Sequence, residues 1–294
     1  MNRKRKKRVV GALAVASVAL LSRPCTGQTF SPSGQNAFSL PLSNITRENR
    51  RAHVIGNSFF NKNWVTAPAS SSARDGLGPL FLARSCSECH LRDGRSSPEN
   101  PGLLFRVIRP GKGSNGEPTG DELIGIQIAT QAIPGWQAEG TVAISYEEMP
   151  GRYADGTSYS LRKPTYRFEG RSGENGIRVA PRIASPVFGL GLLEAIPEAD
   201  LLAAADPDDA NSDGISGRPN RVWNPETKRH ETGRFGWKAN QPDVRQQTAT
   251  AFVEDIGITS SIHPQESLTE SQRDATGEAA AGPEIDEKTL SRVV

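Results

Sequence analysis

Cysteine, histidine and methionine are scarce in this sequence, with three, four and two among 294 residues. If a leader carrying Cys25 is removed, only Cys86 and Cys89 remain, which excludes a disulfide framework in the mature chain. Aromatics are only 6% of residues, so the core is thin in large side chains, whereas 29 glycines and 21 prolines favour turns and short elements. Charge of one sign is also lacking. The formal net charge is +2, and the basic excess sits largely in the run Arg3 to Arg8, which argues against nucleic acid as a partner. The length still permits a sizeable buried core.

Long apolar runs are absent with one exception. Val9 to Leu21 follows the basic start and precedes small residues around Cys25, Thr26 and Gly27, so residues 1–27 read as a signal peptide cut before Gln28. The run is short of the roughly 20 residues that cross a bilayer. No transmembrane domain is expected once it is gone, and the mature chain is expected in the periplasm or otherwise outside the cytoplasm. Arg23 and Pro24 are not the small residues that precede a lipidated cysteine, so Cys25 is read as discarded with the leader.

Residues 28–45, rich in Ser, Pro, Gly and Asn, read as an extended arm. Thr46 is placed to cap a helix through His53, Val54, Phe59 and Phe60, and His53 reads as a partly exposed helix residue. A module is expected over 46–259. Within it a β-rich insertion at about 101–168 is built from Leu103–Ile108, Leu123–Ala129, Thr141–Tyr146 and Tyr159–Phe168. Helical texture is read again over 187–196, 197–205 and 242–256. Residues 260–294 read as a polar loop followed by the start of a helix cut short.

What is present, against this sparing background, is Ser85-Cys86-Ser87-Glu88-Cys89-His90. Cys-x-x-Cys-His is the attachment signature of c-type haem. Two thiols on one helical turn reach the two vinyl groups along a porphyrin edge, and the adjacent imidazole ligates the iron. A structural zinc site would need a second pair of ligands, and His53, His230 and His263 stand at unrelated spacings. A thiol oxidoreductase would have no need of His90 and would place its pair in a strand-to-helix unit that the flanks do not suggest.

For the far side of such an iron, Met149 is the sixth-ligand candidate, being the only methionine after the leader, with His230 and His263 weaker. An open face would instead suit peroxide, with Glu147 and Glu148 as acid/base candidates. Arg92 and Arg95 could hold propionates. Separately, Asp209, Asn211, Asp213 and Gly214 match the start of a calcium loop, but Asn220 stands at its twelfth position and Pro219 spoils the exit helix. An Asp-rich turn is the plainer reading there.

The run from Arg74 to Arg95 (RDGLGPLFLARSCSECHLRDGR) resembles the bacterial di-haem oxidoreductases, as do Asp155 to Tyr166 (DGTSYSLRKPTY), Gly189 to Pro197 (GLGLLEAIP), Asp213 to Asn220 (DGISGRPN) and Gly233 to Ala239 (GRFGWKA). These five motifs occur in order across about residues 46–294. The resemblance implies an exported c-type cytochrome with distant kinship to cytochrome c peroxidases, and it makes Cys86, Cys89 and His90 the first haem site. It also implies a second Cys-x-x-Cys-His in a C-terminal domain. This chain carries one such motif and is expected to be a truncated member, its redox partner or second haem domain supplied elsewhere. The expected fold class is α+β, a mainly helical cytochrome-c-like core with a β-rich insertion and extensive loops. The expected function is electron transfer or peroxidase-like oxidoreduction through one covalent haem c, or a non-catalytic mono-haem carrier or docking module.

Overall fold

The computed structural model describes residues 33–98, 102–116, 119–171, 177–276 and 282–294. The expected leader with Cys25 and the first residues of the expected arm lie outside them. Among the described residues no helix is long and apolar enough to cross a membrane.

The fold is not mainly helical. Helix accounts for 25% of the structure and strand for 24%, the latter in several small antiparallel sheets. The expected cytochrome-c-like helical core is corrected by this balance, and the glycine and proline content explains it. The apolar stretch 187–196 yields only α3 (Leu190–Glu194), opened by Gly189 at φ +73°, and 197–205 yields only α4 (Glu198–Ala203). Two of the α3 leucines face solvent, Leu192 at 66% and Leu193 at 54% exposure, where a core helix would have buried them.

Helix α1 (Arg47–Asn61) begins where a capping hydroxyl allows it: Thr46 Oγ1 accepts a bond from the Asn49 amide at 3.1 Å. It buries Phe59 and Gly56 against α7 (Glu287–Val293), which is itself capped by Asp286. A methyl group at Gly56 would collide with the carbonyl of Arg292, so the close approach of these two helices requires glycine. Helix α5 (Val244–Ala251), capped by Asp243, runs on into a wide π-turn, Phe252–Ile256.

These elements enclose the main core. Trp64, Phe81, Phe252, Ile256, Ile258 and Leu290 are almost wholly buried in it, and Cys86 packs against its edge. The Trp64 ring lies 6.0 Å from Phe59 and edge-on to Phe252 at 5.7 Å. Burying each such side chain contributes about 1.5–3 kcal/mol. The polar stretch after residue 260 is not all loop: it contains α6 (Glu270–Thr276) and buries Ile262, Leu268 and Gln272.

A second core forms where β2 (Leu103–Ile108) pairs with β6 (Arg178–Ile183), Phe105 lying opposite Pro181. Against it packs the near half of a long hairpin, β4 (Gly140–Arg152) with β5 (Ser158–Gly170), through Val142, Ile144, Tyr166 and Phe168. The far half of that hairpin, beyond Tyr146, is largely exposed on both faces. Two short pairs complete the strands: β1 (Leu80–Phe81) with β3 (Gln131–Ala132), and β7 (Arg221–Asn224) with β8 (Arg229–Thr232).

Candidate functional site

The strand β1 delivers the chain directly to a four-residue helix, α2 (Cys86–Cys89). Its N-terminus is fixed by Glu88, whose carboxylate accepts from the Arg84 amide at 2.9 Å. Ser87 Oγ donates to the Asn61 carbonyl at 3.2 Å, joining the turn to the end of α1. The His90 amide donates to the Cys86 carbonyl at 2.9 Å, so both cysteines and the histidine sit on one continuous turn.

The imidazole is oriented from far along the chain. His90 Nδ1 lies 2.7 Å from the Ser185 carbonyl, which can only accept, so Nδ1 carries the proton and Nε2 keeps the lone pair. Ser185 is held there by a small ladder: Ser96 N to Ala184 O at 3.2 Å, Ala184 N to Gly102 O at 3.3 Å and Val187 N to Asp93 O at 3.1 Å. Gly102 adopts φ +109°, and a methyl there would press on Cys89 and Ser96, so this close packing is also glycine-dependent. Cys89 is buried with Ala83 and Ala184, and Cys86 is half-buried.

Burial pushes both thiols up to about 12, and the negative charge of Asp255 adds to the rise at each. They are therefore neutral S–H groups at neutral pH, poor metal-binding thiolates. Among the described residues no three His, Cys, Asp or Glu side chains gather in a way that could hold a metal ion, the motif included. A tetrahedral site is not what this turn builds.

The surroundings suit a large apolar group. The ring of Phe60 lies 6.1 Å from His90. Leu91, next to His90 in sequence, is 50% exposed, and the turn Leu91–Asp93 packs against the turn Ala37–Ser39. From the latter, Phe38 stacks on Phe188 at 4.0 Å, both rings open to solvent. Trp237, 62% exposed, donates through Nε1 to the Ile183 carbonyl two residues before Ser185. A turn that carries a half-buried thiol, a buried thiol and a lone-pair nitrogen, with exposed leucine and aromatic rings nearby, fits haem in its donor set and its apolar border.

Comparison with known families decides the class. A family model described as "Di-haem oxidoreductase, putative peroxidase" matches residues 22–107 and 129–287. The chain belongs to the di-haem oxidoreductase family. The matched segments contain all five motifs, and membership carries haem binding and a peroxidase-like oxidoreductase character at family level. No curated protein matches this family member, and no solved structure does.

The remaining sequence candidates are scattered. Met149 lies opposite Leu161 in the outer half of the β4–β5 hairpin, 48% exposed. On the same exposed arm, Glu148 accepts from Ser160 Oγ at 2.5 Å and Glu147 pairs in register with Lys163. His230 sits on β8 against the Trp223 ring, with Nε2 3.3 Å from the Asn115 carbonyl. His263 is bonded to Thr250 Oγ1 at 3.0 Å, and burial holds its pKa below the usual value. Arg92 and Arg95 are exposed beside the motif, Arg92 in the left-handed region at φ 55°, and His53 is half-buried on α1.

The Asp-rich loop is closed on itself. Asp209 accepts from the Gly214 amide at 3.2 Å, Asp213 from the Ile215 amide at 2.8 Å, and Asn211 Oδ1 from the Asp213 amide at 3.0 Å. These oxygens satisfy the loop's own amides, as in Asx turns. Ser185, Gly102 and Asp255 were not singled out from sequence. A carbonyl acceptor has no side-chain signature, and only the glycine offered a hint.

Proposed function

We propose that this chain is an exported c-type haem module for one-electron transfer, with Cys86 and Cys89 as the attachment thiols and His90 Nε2 as the proximal iron ligand. The observation that carries the reading is the His90 to Ser185 bond on a turn that also presents both cysteines. Each thiol would add across a vinyl group, sulfur bonding to one carbon and the proton going to its neighbour, which is redox-neutral and needs the two cysteines reduced. Bound haem would supply an iron centre that takes up and releases one electron.

The chain's own residues bind and orient. Ser185 holds the imidazole tautomer, and the exposed Phe38, Leu91, Phe188 and Trp237 would offer apolar contact to a bound haem. The basic and apolar leader over 1–27 supports export to the periplasm, where c-type haem is joined to protein. The sixth ligand is best sought outside the hairpin, because Met149 stands exposed on its outer arm.

A second reading, a mono-haem carrier or docking module, is favoured by the single Cys-x-x-Cys-His in the sequence. The family name implies two haems, so turnover with peroxide would draw on a second haem from a redox partner or further domain. Expression in a host with cytochrome c maturation machinery, followed by mass spectrometry, tests the core of the proposal. The expected mass is polypeptide plus one haem, and the bare polypeptide mass overturns it. Peroxide added to the reduced protein then separates the readings: rapid repeated oxidation supports an enzyme, and an inert spectrum supports a carrier.

A further inference from the structure

The π-turn Phe252–Ile256 passes directly behind the cysteine turn. The Asp255 carbonyl accepts from both the Leu82 and Ala83 amides, at 2.8 and 3.1 Å, on the segment that leads into α2. The carboxylate of the same residue is held separately: Gln127 Nε2 donates to Asp255 Oδ1 at 2.8 Å and to the Glu254 carbonyl at 2.9 Å. Gln127 is only 6% exposed, and its own Oε1 has no partner among the described residues. The neighbouring guanidinium of Arg106 pairs with Glu254 at 3.5 Å, and no ion pair to Asp255 is seen among the described residues.

The half-buried Asp255 is fixed at both backbone and side chain, with a neutral amide donor in place of a cation. Phe252, Val253 and Ile256 on the same turn are buried and account for its packing. The charge itself is left unexplained by the fold. Local widening of a helix of this kind recurs at functional sites. The Asp255 carbonyl holds Ala83, which is buried against Cys89, so the residue stands beside the attachment turn.

We propose that Asp255 is a positioning residue for the redox chemistry, a fixed negative charge behind the attachment turn that lowers the reduction potential of the haem. The inference rests on the haem reading above. Oxidised haem iron carries one more positive charge than reduced, so a nearby anion in a medium of low dielectric favours the oxidised form. Asp255 lies within the segments matched by the family model, and Gln127, which orients its carboxylate, lies in the stretch between them.

The test is a mediated redox titration of the haem-loaded protein and of Asp255→Asn, with haem content measured by mass in parallel. The expected result is a higher potential in the variant, with the reduced-to-oxidised ratio at fixed applied potential rising about tenfold, equal to about 59 mV for one electron. Asp255→Glu should restore most of the lower potential. If Asp255→Asn does not fold, Asp255→Ser serves in its place. An unchanged or lowered potential in a variant that carries haem overturns this inference alone. Wild-type protein without haem overturns the haem reading first.

Discussion

The cysteine turn and the Asp-rich loop are both short, polar, motif-bearing stretches, yet they differ in where their hydrogen bonds go. Around Asp209, Asn211 and Asp213 every bond closes within five residues, and the loop satisfies itself. Around Cys86 to His90 local bonds are joined by two that run to Asn61 and Ser185, 26 and 95 residues away in the respective pairs, and among the described residues no bond takes up the thiols or Nε2. A loop that meets its own polar demands is finished. A turn that other parts of the chain must support keeps groups available for chemistry.

Removing the thiols should break that contrast most severely. Cys86→Ala together with Cys89→Ala is expected to abolish covalent haem altogether, seen as bare polypeptide mass, while Asp213→Ala leaves haem content unchanged. Next comes the packing beneath the turn. Phe252→Ala empties a site that is 1% exposed and should cost about 3–5 kcal/mol in denaturant unfolding, with haem yield falling alongside.

A pH series sharpens the comparison further. Burial raises the carboxyl of Glu139 to about 7 from its ordinary 4.5, against the stabilising bonds from Ala129 N and Gln272. Its neutral form is favoured in the folded protein, so its contribution is full below about pH 4.5 and is lost as pH rises through about 7. The loss is about 3 kcal/mol at most. Melting temperature should therefore fall between pH 5 and 8, and Glu139→Gln should flatten the slope; a melting temperature that rises over this range contradicts the assignment.

Gly102→Ala, at φ +109° against Cys89, is expected to cost about 1–3 kcal/mol and to loosen the attachment turn. Smallest is Asp213→Ala, about 0.5–1 kcal/mol for its exposed bonds from Ile215 N and Asn211 Nδ2, with calcium leaving the melting temperature of the wild type unchanged. A rise of several degrees with calcium would give the loop a role that its present bonds do not.

Legibility in the sequence followed the range of the interactions. Thr46 as a helix cap, the single turn of Cys86 to His90 and the apolar run Leu103–Ile108 carry local signatures and could be read from them, although the turn's supports at Asn61 and Ser185 and the strand's partner β6 lie far along the chain. The helical emphasis failed where local pattern meets glycine: Gly189 and Gly191 in the 187–196 stretch leave a five-residue helix with exposed leucines. Position-dependent roles escaped as well. Ser185 acts through its carbonyl and Asp255 through a turn whose widening no residue announces, so neither could be found without the pairing of distant segments.

The hairpin's prolines carry one last consequence. Pro150 and Pro164 fall on cross-strand pairs of the same parity, with Ser160 and Tyr146, in a ladder that continues unbroken past both. Their nitrogens therefore point away from the partner strand, one on each free margin of the hairpin. A strand arriving from another molecule would meet a missing donor on either side, so this long protruding ribbon is guarded against growth into intermolecular sheets.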